Sequence, residues 1–190
     1  GLDEVICDAY EATSCAVDYL ISLGHKNIGY IGEIPSLEKN DIINEHRYRA
    51  FKDTLAKNSI PVNDYYIKNI TLSSKDGYDA MIEIIESGNL PSAIFCGNDI
   101  TAIGVMRAIH KNGLRIPRDI SIIGLDNIEI SEYFRPSLTT IHVPKEELGR
   151  FSVKLLIDKI NGGHDVNAVV KLPFKLIVRE SCGVCKNDSE

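Results

Sequence analysis

Short apolar runs alternate with longer amphipathic stretches along nearly the whole chain. Runs typical of buried strands, such as Ala93–Cys96 and 120–125, are each followed by polar turn residues. The stretches between them place apolar residues at helical spacing and often end at a glycine. Strands that alternate with helices in this way form right-handed βαβ units on a parallel sheet. The pattern therefore predicts the α/β class, as a doubly wound parallel sheet with helices on both faces.

The predicted elements follow one another in a regular order. Strands are expected at 4–7, 27–32, 66–72, 93–96, 120–125, 139–143, 168–172 and 174–178. Helices are expected at 11–23, through Tyr48, Phe51 and Leu55, from Ser73 or Ser74 to Gly88, and at 99–112 and 145–160. Polar residues predict loops at 33–44 and after Asn127.

The carboxyl ends of several predicted strands are followed by polar side chains. Arg47, Asn98 and Asp126 each follow a different strand, and ligands of open parallel sheets bind at this edge, where the strand order reverses. A guanidinium, an amide and a carboxylate together suit a neutral polyhydroxyl ligand or the edge of a purine ring. The alternative is local: Asn98 or Asp99 only caps the next helix, Asp126 is only a turn residue and Arg47 only a surface charge.

Composition narrows the classes of partner. The chain has 190 residues and a formal net charge of −6, which argues against direct contact with nucleic acid because phosphate binding needs clustered Lys and Arg. No apolar run approaches the roughly 18–20 residues needed to cross a bilayer. The first residues also lack the layout of a signal peptide. We therefore expect no membrane partner and a cytoplasmic location.

Catalytic and metal-binding motifs are missing from the sequence. It contains no GxSxG, HExxH, GxxxxGK or GxGxxG, and its histidines lack metal-ligand spacing. Cys182 and Cys185 form a lone CxxC, for which a redox or metal role and an unstructured, reduced tail are the two interpretations. We expect no catalytic residue, no metal, no cofactor and no enzymatic activity.

Several longer strings carry a family resemblance. They are LISLGHKNIGYIG, the segment Arg47-Tyr48-Arg49-Ala50-Phe51, GNDITAIGVMRAI, NGLRIPRDISIIGLDN and RPSLTTIHVPKEELG. In this order and spacing, the chain resembles the regulatory domain of the LacI/GalR transcription regulators over about residues 5–180. The resemblance implies a periplasmic-binding-protein-like fold with two lobes that hold an effector between them.

The resemblance also implies how this chain is divided. Residues 1–180 would form a partial effector-binding domain, in which 4–8 cross between lobes, 9–143 form the carboxyl-terminal lobe, 145–161 return to the other lobe and 168–180 close the domain. Residues 181–190 would be a tail. The apolar stripe of the helix at 145–161 would then lack its usual neighbours, and we expect it to pack against its own lobe or to be exchanged with another copy.

The resemblance implies a sensor that binds a sugar or a purine as its small-molecule effector and acts as a homodimer. Operator DNA would be bound only through a headpiece absent from this chain. In the family, the positions of Arg47, Asn98 and Asp126 contact the effector, and Leu72 lies where several members place an aromatic ring that stacks on it. The alternative is an extracytoplasmic sugar-binding protein of a transporter, which shares the fold.

The resemblance implies a dimer contact for the helix at 99–112 and the loop Tyr133-Phe134-Arg135-Pro136. The residues expected there are Ile100, Ile103, Met106 and Phe134, because buried apolar and aromatic side chains dominate interface energies. The helix carries more apolar positions than one buried face requires. The alternative is a helix fully buried in the core.

Overall fold

The helices and strands follow the predicted order closely. The computed structural model describes residues 2–34 and 42–186, apart from the side chains of 42–45, so most of the loop predicted at 33–44 lies outside the described residues. The strands are β1 Glu4–Cys7, β2 Ile28–Gly32, β3 Ile67–Asn69, β4 Ala93–Cys96, β5 Ser121–Asp126, β6 Thr139–His142, β7 Val169–Leu172 and β8 Lys175–Ile177. The helices are α1 Ala9–Ser22, α2 Ile42–Lys57, α3 Ser74–Glu86, α4 Asp99–Lys111, α5 Ile130–Tyr133 and α6 Lys145–Ile160, with a 3-10 turn at Asp64–Tyr66.

The predicted doubly wound sheet is confirmed. Its six strands lie in the order β3-β2-β4-β5-β6-β8, and the chain moves outward from β2 in both directions. The pairs within β3-β2-β4-β5-β6 are parallel, with Tyr30 opposite Phe95 and Phe95 opposite Ile123. The order therefore reverses between β2 and β4, and the ends of these strands flank the crevice where such sheets bind ligands.

The last strand departs from the predicted parallel arrangement. β8 pairs with β6 in antiparallel register, with Lys175 opposite His142 and Ile177 opposite Thr140. The chain leaves the main sheet at the carboxyl end of β6, passes through α6 and β7, and returns at the same edge. A strand that enters from this edge must run back along β6, so the topology sets its direction.

A second, smaller sheet stands apart from the main one. It consists of β1 and β7, paired in parallel from Glu4 opposite Val169 to Cys7 opposite Leu172. α6 contacts both of these strands. The elements at the two ends of the chain therefore form one separate layer beside the carboxyl edge of the main sheet.

Helices cover both faces of the main sheet, as predicted. On one face α3 and α4 contribute Met81, Ile84, Met106 and Ile109 to a buried cluster; on the other, α1 and α2 contribute Leu20, Phe51 and Leu55. Successive strand residues alternate between the clusters, with Ile122 on the first side and Ile123 on the second. The core is thus two apolar layers separated by the sheet.

Local signals account for the helix ends. Asp8 accepts a hydrogen bond from Glu11 N at 2.9 Å, and Ser73 caps α3 through Asp76 N at 3.1 Å. Gly24, Gly88 and Gly113 follow α1, α3 and α4 with φ of 90°, 72° and 75°. Only glycine adopts this left-handed conformation without strain.

The predicted apolar stripe of α6 is divided between two faces of the helix: Leu148, Phe151 and Leu155 are half-buried, whereas the remaining apolar residues do not pack against their own lobe. No residue of α6, all of which the structure describes, is buried. Leu156 is 59% exposed and Ile160 is 74% exposed, and Val153 and Ile157 are also more than half exposed. The helix contacts β1 and β7 with its opposite side and leaves these exposed residues in solvent.

The CxxC segment is ordered where the structure describes it, which corrects the interpretation of an unstructured tail. Ser181 is fully buried and its hydroxyl accepts from Thr139 N at 2.8 Å and donates to Ile122 O at 2.6 Å. Gly183 O is 3.0 Å from His25 Nε2, and Cys185 N donates to Leu23 O at 2.8 Å. Residues 181–186 therefore run along the amino ends of the strands; residues 187–190 lie outside the described part.

None of the helices in the described residues is long and apolar enough to span a bilayer.

Candidate ligand site

Four predicted ligand residues follow strands of the main sheet. Leu72 comes after β3, Asn98 lies two residues after the end of β4, and Asp126 ends β5. Arg47 lies in the first half of α2, the helix after β2. All four follow strands that end at the same edge, because these strands are parallel and adjacent.

A cavity of about 680 Å³ opens at this edge and is shared by the two sheets. Arg47, Asp126 and Val143 line it from the main sheet and its helices. The opposite wall comes from β1, the start of α1 and Leu148 of α6. Its volume lies within the roughly 300–1,000 Å³ of small-molecule sites. The geometry therefore brings Arg47 and Asp126 to one ligand-sized space.

The charges of Arg47 and Asp126 act on each other across this cavity. Burial raises the pKa of the Asp126 carboxyl, while the positive charges of Arg47 and Lys145 lower it and the negative charge of Asp99 raises it further. Burial and the nearby Asp8 and Asp126 carboxylates also raise the pKa of the Cys7 thiol. The cavity wall thus holds Arg47 and Asp126, which carry opposite charges, together with a thiol whose pKa is raised.

The turn that carries Asp126 has unusual backbone conformations. Asp126 has φ of 113° and Asn127 has φ of 50°, and non-glycine residues with such values concentrate at functional sites. Asn127 Oδ1 accepts from Arg179 Nη2 at 2.8 Å, and its Nδ2 lies 3.2 Å from His142 Nδ1. Lys145 Nζ donates to Asp126 O. Neighbouring side chains therefore hold this turn in a conformation that it would not adopt alone.

Asn98 and Leu72 interact with each other beside this space. Asn98 Oδ1 accepts from Thr101 N at 2.8 Å, and its Nδ2 donates to Leu72 O at 3.5 Å. Neither residue is among the described residues that line the cavity. The helix-cap interpretation is confirmed for Asn98, and its contact with a ligand stays a prediction, as does that of Leu72.

Asp99 does not cap α4, because Asn98 has that role. Its buried carboxylate accepts from Thr140 Oγ1 at 2.6 Å, Ile128 N at 2.9 Å and Ser131 Oγ at 2.7 Å. Burial raises its pKa, and these hydrogen bonds oppose the rise. The only sequence signal of this placement is Gly124 inside β5, since a Cβ there would lie 2.2 Å from Asp99 Oδ1.

The sequence did not indicate the wall formed by the start of the chain. Cys7, Asp8 and Tyr10 line the cavity together with His46. The Tyr10 hydroxyl donates to Asp53 Oδ2 at 3.0 Å, and the Arg49 guanidinium lies 5.4 Å from the centre of its ring. These residues carry no motif, and only the contact between two separate sheets brings them to the site.

The surface expected to form a dimer contact is only partly as predicted. Ile100 is exposed, Ile103 and Phe134 are half-buried, and Phe134 packs against the α3–α4 cluster. Met106 is fully buried in that cluster, so its assignment to a surface contact is wrong. Tyr133, which the resemblance places in this contact, is 65% exposed, and it lies in a helix, α5, that was not predicted and that also exposes 47% of Ile130.

Within residues 2–34 and 42–186, no group of three or more His, Cys, Asp or Glu side chains is arranged to hold a metal ion. The cysteines of this part of the chain are all free thiols.

Relatives with known names match most of this chain. The family described as periplasmic binding protein-like domain matches residues 17–182. The HTH-type transcriptional repressor PurR of Pasteurella multocida (strain Pm70) is 38% identical over 174 residues, which cover 91% of this chain and 51% of the repressor. The chain therefore spans about half the length of the curated relatives that it matches.

Solved structures with the same fold are regulators. A putative LacI transcriptional regulator from Bacillus cereus subsp. cytotoxis NVH 391-98 superposes with a TM-score of 0.87 at 31% identity, over 95% of this chain and 62% of that one. A LacI family transcriptional regulator from Enterococcus faecium with bound ribose gives 0.85 at 33% identity, over 97% and 66%. Both similarities extend over nearly the whole described fold.

Proposed function

Because this chain belongs to the periplasmic-binding-protein-like domain family, in the form that LacI-type transcription regulators carry, we propose that it binds the small effector of such a regulator. The observation that carries the proposal is that Arg47 and Asp126 line one ligand-sized cavity, where the charge of Arg47 lowers the pKa of the Asp126 carboxyl. Binding alone would be its role, because the side chains of the cavity offer hydrogen bonds and charge and the relatives are named as repressors and regulators. The alternative of a transporter's sugar-binding protein has no support from these names.

The effector is proposed to be a neutral, ring-shaped molecule with several hydrogen-bonding groups. A guanidinium donates and a carboxylate accepts, so together they bind adjacent hydroxyls of a sugar or the donor and acceptor atoms of a purine. The ribose in the Enterococcus faecium regulator supports the first class, and the similarity to PurR leaves the second open. Leu72 supplies no aromatic ring for stacking.

The layer of β1, β7 and α6 is proposed to be part of a second lobe, since the family resemblance implies that 4–8 cross between the lobes and that 145–161 return to the other lobe. Its support is the separate small sheet and the solvent-exposed stripe of α6. This layer is only part of a lobe, so we expect it to enclose a ligand in the cavity only partly. We therefore expect the 190-residue chain to bind effector more weakly than a complete two-lobed protein.

In the whole regulator, the effector is proposed to change the affinity of a separate headpiece for operator DNA, in a cytoplasmic homodimer whose contact includes Ile100 and Ile130. The negative charge of this chain supports the separation of the two roles, because DNA contact requires basic residues. Effector and operator would be linked by a coupling free energy between two states.

Titrations followed by NMR amide shifts test the proposal on the 190-residue chain. The probes are D-ribose and hypoxanthine, and one of them is expected to shift amides at Arg47, Asp126 and Asn127. Asp126→Asn should weaken that response, whereas the control Asp79→Asn, an exposed carboxylate on α3, should leave it unchanged. Shifts confined to other surfaces, or a response that survives Asp126→Asn, would overturn the proposal.

A further inference from the structure

One buried carboxylate connects the turn at the ligand edge to the exposed helix α5. Asp99 Oδ1 accepts from Thr140 Oγ1, and the same hydroxyl oxygen accepts from Asn127 N at 3.3 Å. Asp99 Oδ2 accepts from Ser131 Oγ, inside α5, and from Ile128 N, between the turn and that helix. The carboxylate therefore bonds directly to Ile128 and to α5, and it reaches Asn127 through the Thr140 hydroxyl.

The fold is built to hold this carboxylate. Asp99, Ser131 and Thr140 have no exposed side-chain surface, and Gly124 leaves the space over β5 that Oδ1 occupies. Ser131 also anchors the far side of α5, since its carbonyl accepts from Leu138 N at 2.8 Å. A buried carboxylate that loses a donor is left partly unsatisfied, at a cost comparable to a lost buried hydrogen bond. The groups around Asp99 are therefore constrained to move together.

We propose that Asp99 is a positioning residue that couples the Asp126–Asn127 turn to α5, so that a ligand at the turn shifts the surface formed by Ile130 and Tyr133. The inference rests on the proposed function for the ligand at Asp126, and the coupling itself is a property of the ligand-free chain. Through this coupling, the effector would influence the proposed self-association surface by contacts that all lie within one lobe. To demonstrate such coupling, a change at the Asp126–Asn127 turn must produce a response at α5, and a change at α5 must produce a response at the turn.

Amide hydrogen exchange measured by NMR on the 190-residue chain tests this response in both directions. Thr140→Val removes a hydroxyl on β6, and it should speed exchange of the Phe134 and Leu138 amides, which Thr140 does not bond, by roughly tenfold. Ser131→Ala removes a hydroxyl on α5 and should speed exchange of the Asn127 amide similarly. Thr140→Ser, which keeps the hydroxyl, should restore slow exchange at Phe134 and Leu138.

A matched control is available on α4 itself. Thr101 is buried, and its hydroxyl makes no hydrogen bond within the part of the chain that the structure describes. Thr101→Val should therefore leave exchange at Asn127, Phe134 and Leu138 unchanged. Effects confined to the directly bonded groups, or equal effects in Thr101→Val, would overturn the coupling.

The exchange experiment can support or refute the coupling independently of whether the proposed function is correct. If the crossed exchange effects appear but neither ribose nor hypoxanthine shifts the Asp126 edge, the coupling holds and the ligand assignment fails. If a probe binds in an Asp126-dependent manner but the crossed effects are missing, the coupling fails alone. If both hold, the bound probe should slow exchange at Phe134 in the unmodified chain and not in Ser131→Ala.

Discussion

His164 Nε2 lies 3.1 Å from Asp3 Oδ2, which joins the segment just before β1 to the turn that follows α6. The other ring nitrogen lies 2.6 Å from Asp158 Oδ2 at the end of α6. Asp3 Oδ1 also accepts from Ala168 N at 2.8 Å, next to β7. A single imidazole between two carboxylates therefore adds to the strand pairing of β1 with β7 and to the ion pair of Lys159 with Asp3.

This arrangement predicts a pH-dependent stability of the small sheet. Hydrogen bonds to the Asp158 and Asp3 carboxylates raise the pKa of His164 above its ordinary value of 6.5. The stabilising contribution is complete below pH 6.5, where folded and unfolded chains are both protonated, and is lost as pH rises through the folded pKa. His164→Asn should lower Tm clearly at pH 5.5 and much less at pH 8.5, as measured by circular dichroism.

His110→Asn is the control for that comparison, because His110 is exposed on α4 and distant from the small sheet in the topology. A Tm loss for His164→Asn that is equal at both pH values would contradict the prediction.

The Asp3 carboxyl affects stability in a lower pH range, because the hydrogen bond from Ala168 N is the main cause that lowers its pKa to about 2. Its contribution is therefore lost only as pH falls from the ordinary 3.8 through about 2.

The main sheet could be predicted from sequence because its signals are local. Ala93–Cys96 and the run before Asp126 are short and apolar, and Gly24, Gly88 and Gly113 mark helix ends within a few residues of them. The side chains at the strand ends, Asn98 and Asp126 among them, follow from the same pattern. These features depend on neighbours in the chain.

Long-range contacts account for what could not be predicted. The reversed direction of β8 depends on where the chain returns from β7, and the cavity wall of Cys7 and Tyr10 depends on the contact between two sheets. The position of Met106 in the apolar pattern of α4 is compatible with either a surface or a core location. Only the packing of α3 on α4 places its side chain in the core. Asp99 resembles a helix cap until Thr140, 41 residues later, is seen to donate to it.

The space above Gly124 should be sensitive to a single methyl group. Gly124→Ala places a Cβ 2.2 Å from Asp99 Oδ1, and the carboxylate cannot move without losing its donors. We expect a loss of about 1–3 kcal/mol in the free energy of unfolding, measured by urea denaturation. Gly149→Ala is the matched control on the exposed side of α6, where a Cβ would meet no described atom within 4 Å. It should be neutral or stabilising by up to about 1 kcal/mol, and equal losses in both variants would contradict the prediction.

Ser181 should contribute to stability although the sequence analysis places it in a tail at residues 181–190. Ser181→Ala leaves Thr139 N without its acceptor and removes a donor to Ile122 O, both in buried surroundings. The expected loss is about 1–3 kcal/mol, seen as a lower urea midpoint with unchanged slope. Ser152→Ala, which removes a hydroxyl from exposed α6, should change the free energy of unfolding by less than about 0.5 kcal/mol. A neutral Ser181→Ala would mean that the C-terminal segment is not held by these bonds.

Measurements of self-association should show which of two exposed apolar surfaces forms a dimer contact. Ile130 and Tyr133 are exposed on α5, which Ser131 bonds to Asp99 beside the exposed Ile100, whereas Val153, Leu156 and Ile160 are exposed on α6. Buried apolar anchors dominate interface energies, and a charge placed among them weakens binding. If the α4–α5 surface forms the dimer, Ile130→Asp should raise the dimer dissociation constant by at least roughly tenfold in sedimentation equilibrium.

Val153→Asp is the matched variant on α6, since Val153 is about as exposed as Ile130 and both substitutions add one negative charge. An unchanged dissociation constant in Val153→Asp together with a weakened dimer in Ile130→Asp supports the α4–α5 contact. The reverse result would support exchange of α6 between copies, because only an interface that contains the stripe would be disturbed by a charge at position 153. A chain that is strictly monomeric at all concentrations would exclude both contacts, because each requires a second copy to bury its apolar side chains.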